Sequence, residues 1–81
     1  MPSTSVVVGS SVGLHARPAA IIAEAAEAAT GTVTINGVDA SSSLMIMTLG
    51  AKCGDTVEVA GDDDTAVATI AALVEQDLDA D

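Results

Sequence analysis

Eighty-one residues allow one domain with one modest core, expected over residues 1–81, and a domain of this size hides only a limited share of its surface. Apolar residues make up 49% of the chain but none is aromatic, so the core must come from Val, Ile, Leu, Met and Ala, and stacking of bases on aromatic rings is excluded. Twelve acidic residues against two basic ones give a net charge of −10, which repels phosphate backbones and argues against nucleic acid as a partner.

The N-terminal stretch has no basic residue and only three consecutive apolar ones, so it fits neither a signal peptide nor a membrane span. A soluble, cytoplasmic protein is expected. Residues 4–8 read as a first strand, with Val6 and Val8 on one face by the alternation of strands. Gly9-Ser10-Ser11-Val12-Gly13 makes a loop. Residues 16–29 are good helix formers in which Ala19, Ile22, Ala26 and Ala29 recur at three- and four-residue steps, and Gly31 is expected to cap the end. Glu24 and Glu27 fall away from that stripe as a solvated face.

Residues 32–35 alternate as a strand, and Asn36-Gly37 is the preferred pair for a two-residue hairpin turn, which makes residues 38–40 the returning strand. Ser41-Ser42-Ser43 offers side-chain oxygens to cap a short helix over residues 44–47, ended by Thr48-Leu49-Gly50. Met45 and Met47 lack the histidine or thiol companions of a soft-metal site and read as core or docking surface. Lys52-Cys53-Gly54-Asp55 reads as a turn. Cys53, the sole cysteine, cannot close a disulfide within the chain and is expected to be small and half-buried in a reducing compartment. Residues 56–60 form a strand with Val57 and Val59 inward, stopped by Gly61. Asp62-Asp63-Asp64 lacks the spacing of a calcium loop and suits the start of a helix, whose buried stripe is Val67, Ile70, Leu73 and Val74. Glu75, Asp77, Asp79 and Asp81 trail into solvent. No metal and no other cofactor is expected.

The chemistry gathers at Gly13-Leu14-His15-Ala16-Arg17-Pro18-Ala19-Ala20, where the loop gives way to the first helix and the chain places its only histidine. A helix start leaves N–H groups without intrahelical partners, and these add to the backbone dipoles to make an anion site. His15 falls where an N-cap would, Ala16 and Arg17 supply the first free N–H groups, and Pro18 tolerates the first turn because it has none. Arg17 brings a planar fork matched to phosphate oxygens. A lone histidine at a helix start can be a plain cap beside an ordinary arginine. A chain with two basic residues in all that keeps one of them beside its sole histidine favours instead a phosphohistidine site.

Gly13-Leu14-His15-Ala16-Arg17-Pro18-Ala19 resembles the active-site signature of HPr, the histidine phosphocarrier family of the sugar phosphotransferase system, and Met47-Thr48-Leu49-Gly50-Ala51 is similar to the segment that closes the family's short second helix. The resemblance spans the whole chain. It implies an α+β open-faced sandwich, with three helices on one face of a four-stranded antiparallel sheet in the order 1-4-2-3. It also implies a phosphoryl group received on His15 from enzyme I and handed to an enzyme IIA, with no membrane insertion and a monomeric state. Arg17 would stabilise the phosphate, together with the backbone of Ala16 and Arg17. The nucleophile has to be a neutral imidazole nitrogen, and family precedent assigns Nδ1. An ungapped alignment puts the regulatory serine of many relatives at Ser42, one gap would choose Ser43, and a plain cap fits either. The same alignment places Leu44 and Met47 on the docking surface beside Ala16 and Ala20.

Two function classes follow, a turnover phosphocarrier and an HPr-like regulatory module that docks with little phosphate turnover. The nucleophile beside an anion clamp favours the first. Lys52, the other cation, is expected to matter much less than Arg17. The acidic composition itself suggests a halophile's cytoplasm, where molar salt screens the self-repulsion.

Overall fold

Why an all-aliphatic chain of this length closes a core at all is answered by its sheet. The computed structural model describes residues 2–11, 13–29 and 31–76; Val12 of the loop and the tail acids Asp77, Asp79 and Asp81 lie outside the described residues. Strand β1 spans Ser3–Val7, helix α1 Ala16–Ala28, β2 Val33–Ile35, β3 Val38–Asp39, α2 Ser43–Thr48, β4 Thr56–Gly61 and α3 Asp64–Glu75. The four strands form one antiparallel sheet in the order β1-β4-β2-β3, with Val6 opposite Val57 and Ile35 opposite Val59. In that register Val6, Val57, Val59, Val33 and Ile35 are all buried, while Ser5, Thr56 and Glu58 on the alternate positions are exposed. One sheet face is therefore covered and the other wet. The order and the one-sided helices agree with the expected open-faced sandwich.

The helices fill the covered side with small residues and one large aliphatic anchor at each critical point. Ile22 from α1, Ile46 from α2 and Ile70 from α3 are completely buried, as is Ile35 from the sheet. Burying such a side chain contributes about 1.5–3 kcal/mol, which has to compensate for a first helix made largely of alanine. Pro18, Ala19, Ala23 and Ala26 complete the buried face of α1, and Ala66, Val67, Ala71 and Val74 that of α3. Leu73, expected within that stripe, is only partly buried, because Ala71 takes the inward position.

Most boundaries shift by one residue, and three local readings change. The first strand starts at Ser3, and α2 is longer than expected because Ser42 is its N-cap, with its Oγ accepting the Met45 N–H at 3.3 Å. Gly31 is not the capping residue of α1; Ala29 closes that helix, its N–H donating to the Ala26 carbonyl. Gly61 does not stop β4 but is its last residue, where an added Cβ would stand 2.6 Å from the Thr32 carbonyl oxygen. Cys53 is exposed rather than half-buried, since it occupies the tip of the turn that Lys52 and Asp55 close with a 2.9 Å backbone hydrogen bond. The Asn36-Gly37 turn is as read, with φ of +50° and +85°. After β3, Asp39 accepts from the Ser41 hydroxyl at 2.7 Å and the Ser41 N–H at 2.9 Å, which hold its carboxyl below its usual range. That small contribution is present at neutral pH and fades as acid protonates the folded form.

The acids of the described residues gain a few hydrogen bonds but no basic partner. Among the described residues neither basic side chain has a carboxylate partner, and Glu24, Glu27, Glu58, Asp62 and Asp64 are all exposed. A melting temperature that rises between about 0.1 M and about 3 M potassium chloride is the expected result, because the screening length falls from about 10 Å to 3 Å or less across that range. A flat or falling melting temperature would remove the halophile reading.

Candidate functional site

The candidate site is made by pinning a loop to the end of α3 and to the segment before β4, so that the next residue faces water. Val8, at 1% exposure, ends the run begun by β1, its N–H donating to the Asp55 carbonyl at 2.8 Å and its carbonyl accepting the Gly54 N–H at 2.9 Å. Gly9 then passes so close to the end of α3 that a Cβ would fall on the Glu75 carbonyl, and its N–H donates to the Val74 carbonyl at 3.0 Å. Ser10, wholly buried, donates from Oγ to the Gln76 carbonyl at 3.2 Å. Gly13 turns the chain with φ of +77° while lying against the Ala51 backbone, whose carbonyl oxygen would be 2.5 Å from an added Cβ. Leu14 is 3% exposed, and its N–H donates to that same Ala51 carbonyl at 3.0 Å. The loop is thus tied at several points before the helix begins.

His15 is the N-cap of α1, with extended backbone (φ −87°, ψ −166°), and its carbonyl accepts the Ala19 N–H at 2.8 Å. Its side chain makes no capping hydrogen bond and is exposed. His15 is thus an N-cap by position, and its imidazole makes no bond to the first-turn N–H groups. Ala16, Arg17 and Pro18 are the first three residues of the helix. Pro18 has no N–H to offer, so the first-turn donors are the N–H groups of Ala16 and Arg17. Pro18 is also buried, which seats the helix start on the core. Arg17 is exposed and its guanidinium has no carboxylate partner among the described residues. An exposed imidazole, two backbone donors, a helix dipole and a guanidinium without a carboxylate partner among the described residues therefore share one helix start, an arrangement suited to an anionic group.

The residues expected on the docking surface are divided between α1 and α2. Helices α1 and α2 pack against each other, with Ala16 and Ala20 exposed on α1 and Leu44, at 67% exposure, on α2. Met47 is half-buried and packs on the core rather than standing free. Met45, for which residue type left core and docking surface both open, is 42% exposed. Sequence reasoning passed over Leu14 and Ser10 as loop anchors. Leu14 carried a signal, being a large apolar residue between two residues of the motif, whereas nothing local distinguishes Ser10 from its neighbour Ser11. Ser42 caps α2 and Ser43 is its first residue.

Fold and site together define a small open-faced sandwich that holds a histidine at a helix N-terminus with its ring in solvent. A family model described as the PTS HPr component phosphorylation site matches residues 2–76. Phosphocarrier protein HPr of Streptomyces coelicolor is 40% identical over 78 residues, covering 90% of this chain and 84% of that protein. Among solved structures, HPr-C-His from Thermoanaerobacter tengcongensis superposes with a TM-score of 0.87 at 26% identity, covering 100% of this chain and 99% of that one. Phosphocarrier protein HPr from Bacillus anthracis gives 0.77 at 31% identity, covering 90% of this chain and 95% of that one. The chain belongs to the HPr family.

Proposed function

We propose that this protein is a phosphocarrier of the phosphotransferase system that takes a phosphoryl group from phospho-enzyme I onto His15 and passes it to an enzyme IIA. The observation that carries the reading is the exposed His15 imidazole, free of any capping duty, at a helix start that offers the Ala16 and Arg17 N–H groups. The ring nitrogen attacks phosphorus through its lone pair, a phosphorus–nitrogen bond forms as the bond to enzyme I breaks, and the same exchange in reverse order charges the enzyme IIA. Such transfer needs positioning and charge stabilisation rather than a deep cleft, so an exposed site that partners complete is sufficient. The phosphoryl group brings about −1.5 to −2 charges by analogy with other phosphorylated side chains, and the α1 dipole and Arg17 offset them without enclosing the group. The carrier works in this reading as a monomer in the cytoplasm. No helix among the described residues is long and apolar enough to cross a membrane.

Incubation with phosphoenolpyruvate, enzyme I and each enzyme IIA of the same genome tests the relay. Label should pass through this protein to one enzyme IIA or more; label that never leaves phospho-enzyme I would favour the regulatory docking module instead.

Docking rests on the exposed Leu44 and Met45, the half-buried Met47 and the small Ala16 and Ala20, because Glu24 and Glu27 remove charge attraction to an acidic partner from α1. Ser42→Asp should fold, since aspartate is a good N-cap, yet slow transfer from enzyme I by about three- to tenfold by setting a charge beside that patch. Unchanged kinetics would leave Ser42 a cap, and a loss seen only with Ser43→Asp would assign the regulatory position to Ser43.

A further inference from the structure

The chain has two cations against twelve acidic residues, and the backbone of the second lies against the loop that leads into His15. Lys52 follows Ala51, whose carbonyl accepts the Leu14 N–H, and the Lys52 Cα lies 3.0 Å from where a Cβ on Gly13 would stand. Gly13 precedes His15 by two residues, a span of at most about 7 Å of extended chain. A four-carbon stem rooted at Lys52 is therefore long enough to reach the surroundings of the imidazole. The root itself is rigid. The Lys52 N–H donates to Asp55 Oδ2 at 2.9 Å, and the Lys52 carbonyl accepts the Asp55 N–H at 2.9 Å. Asp55 thus spends its carboxylate on the backbone of the turn and not on the ammonium.

The charges are also left open. Among the described residues neither Lys52 nor Arg17 has a carboxylate partner, although acids outnumber bases twelve to two. Surface cations so outnumbered are easily satisfied by a neighbouring acid, yet neither has one among the described residues. A phosphoryl group has three outer oxygens, and a guanidinium fork engages at most two of them. An ammonium is a compact point charge suited to the remainder.

We infer that Lys52 is a second phosphoryl-binding residue, its ammonium contacting the transferred group from the β4 side of the loop while Arg17 and the α1 N–H groups contact it from the helix side. This rests on the phosphocarrier reading, and it raises Lys52 above the minor part that sequence alone gives it.

The side chain is exposed and the fixed bonds of Lys52 are made by its backbone, so Lys52→Ala leaves the fold intact. Inorganic phosphate is titrated into the wild type, Lys52→Ala and Lys52→Arg at low salt while the Ala16 and Arg17 amide signals are followed by NMR, and transfer from phospho-enzyme I is timed on the same proteins. Removal of one exposed charge-assisted hydrogen bond should weaken phosphate binding and slow transfer by about three- to tenfold in Lys52→Ala. Lys52→Arg should recover most of both, and the melting temperatures should agree. A Lys52→Ala protein equal to wild type in both measurements, or a Lys52→Arg protein as impaired as Lys52→Ala, overturns the inference. In either case a wild type that still takes its phosphoryl group on His15 leaves the phosphocarrier reading standing; a wild type that accepts none overturns both.

Discussion

His15→Ala should fold with a melting temperature close to that of the wild type and accept no phosphoryl group from phospho-enzyme I. The fold survives because the His15 side chain makes no cap hydrogen bond, and the one helix bond made at this position, from the Ala19 N–H to the His15 carbonyl, belongs to the backbone and persists in alanine. Exposed positions without such bonds change stability by about 0.5 kcal/mol or less. Transfer disappears because the chain has a single histidine and so no second imidazole to take over. Circular dichroism melts beside a labelled phosphoenolpyruvate assay separate the two effects, and acid-labile label on the variant would refute the assignment of the nucleophile.

Arg17→Ala carries the second largest expected effect, a fall in transfer rate of about ten- to a thousand-fold, as expected when one to a few charge-assisted hydrogen bonds to the transferring group are removed. Arg17 is exposed at the second position of α1, so alanine there is an excellent helix former and removes no internal partner. The N–H of residue 17 persists in the variant, and the backbone part of the site with it. Stopped-flow quench of phospho-enzyme I with excess carrier gives the rate directly. Equal rates for the variant and the wild type would mean that the helix N-terminus alone stabilises the phosphoryl group.

The parts of this molecule that are legible in its sequence are those fixed by neighbours along the chain. Asn36-Gly37 announces its hairpin because both residues tolerate positive φ, and the turn has that geometry. Val57 and Val59 announce their inward face through strand alternation. His15 announces itself as an N-cap because a glycine loop stops at it and alanines follow. What cannot be read depends on residues far apart in sequence. Gly13 reads as a bend, yet its necessity lies equally in the Ala51 carbonyl pressed against it. Gly61 reads as a strand stop, and only the Thr32 backbone across the sheet shows why a glycine ends β4. Cys53 reads as half-buried from residue type alone, but the turn clamped by Asp55 presents it to water. The strand order follows from family resemblance, since alternation fixes faces and not neighbours. The approach of Lys52 to the histidine loop depends on that order and on the Leu14 to Ala51 hydrogen bond, neither of which leaves a local trace.

The most direct measurement takes the wild-type protein with enzyme I and phosphoenolpyruvate, counts the phosphate incorporated, and maps it by its stability to acid and base and by fragmentation of the labelled peptide. The account predicts one phosphate per chain, lost in acid and retained in base, on the peptide that contains Leu14-His15-Ala16. Phosphate that is retained in acid, or that maps to the Ser42-Ser43 peptide, or a wild type that takes up none while its enzyme I is fully charged, would contradict it.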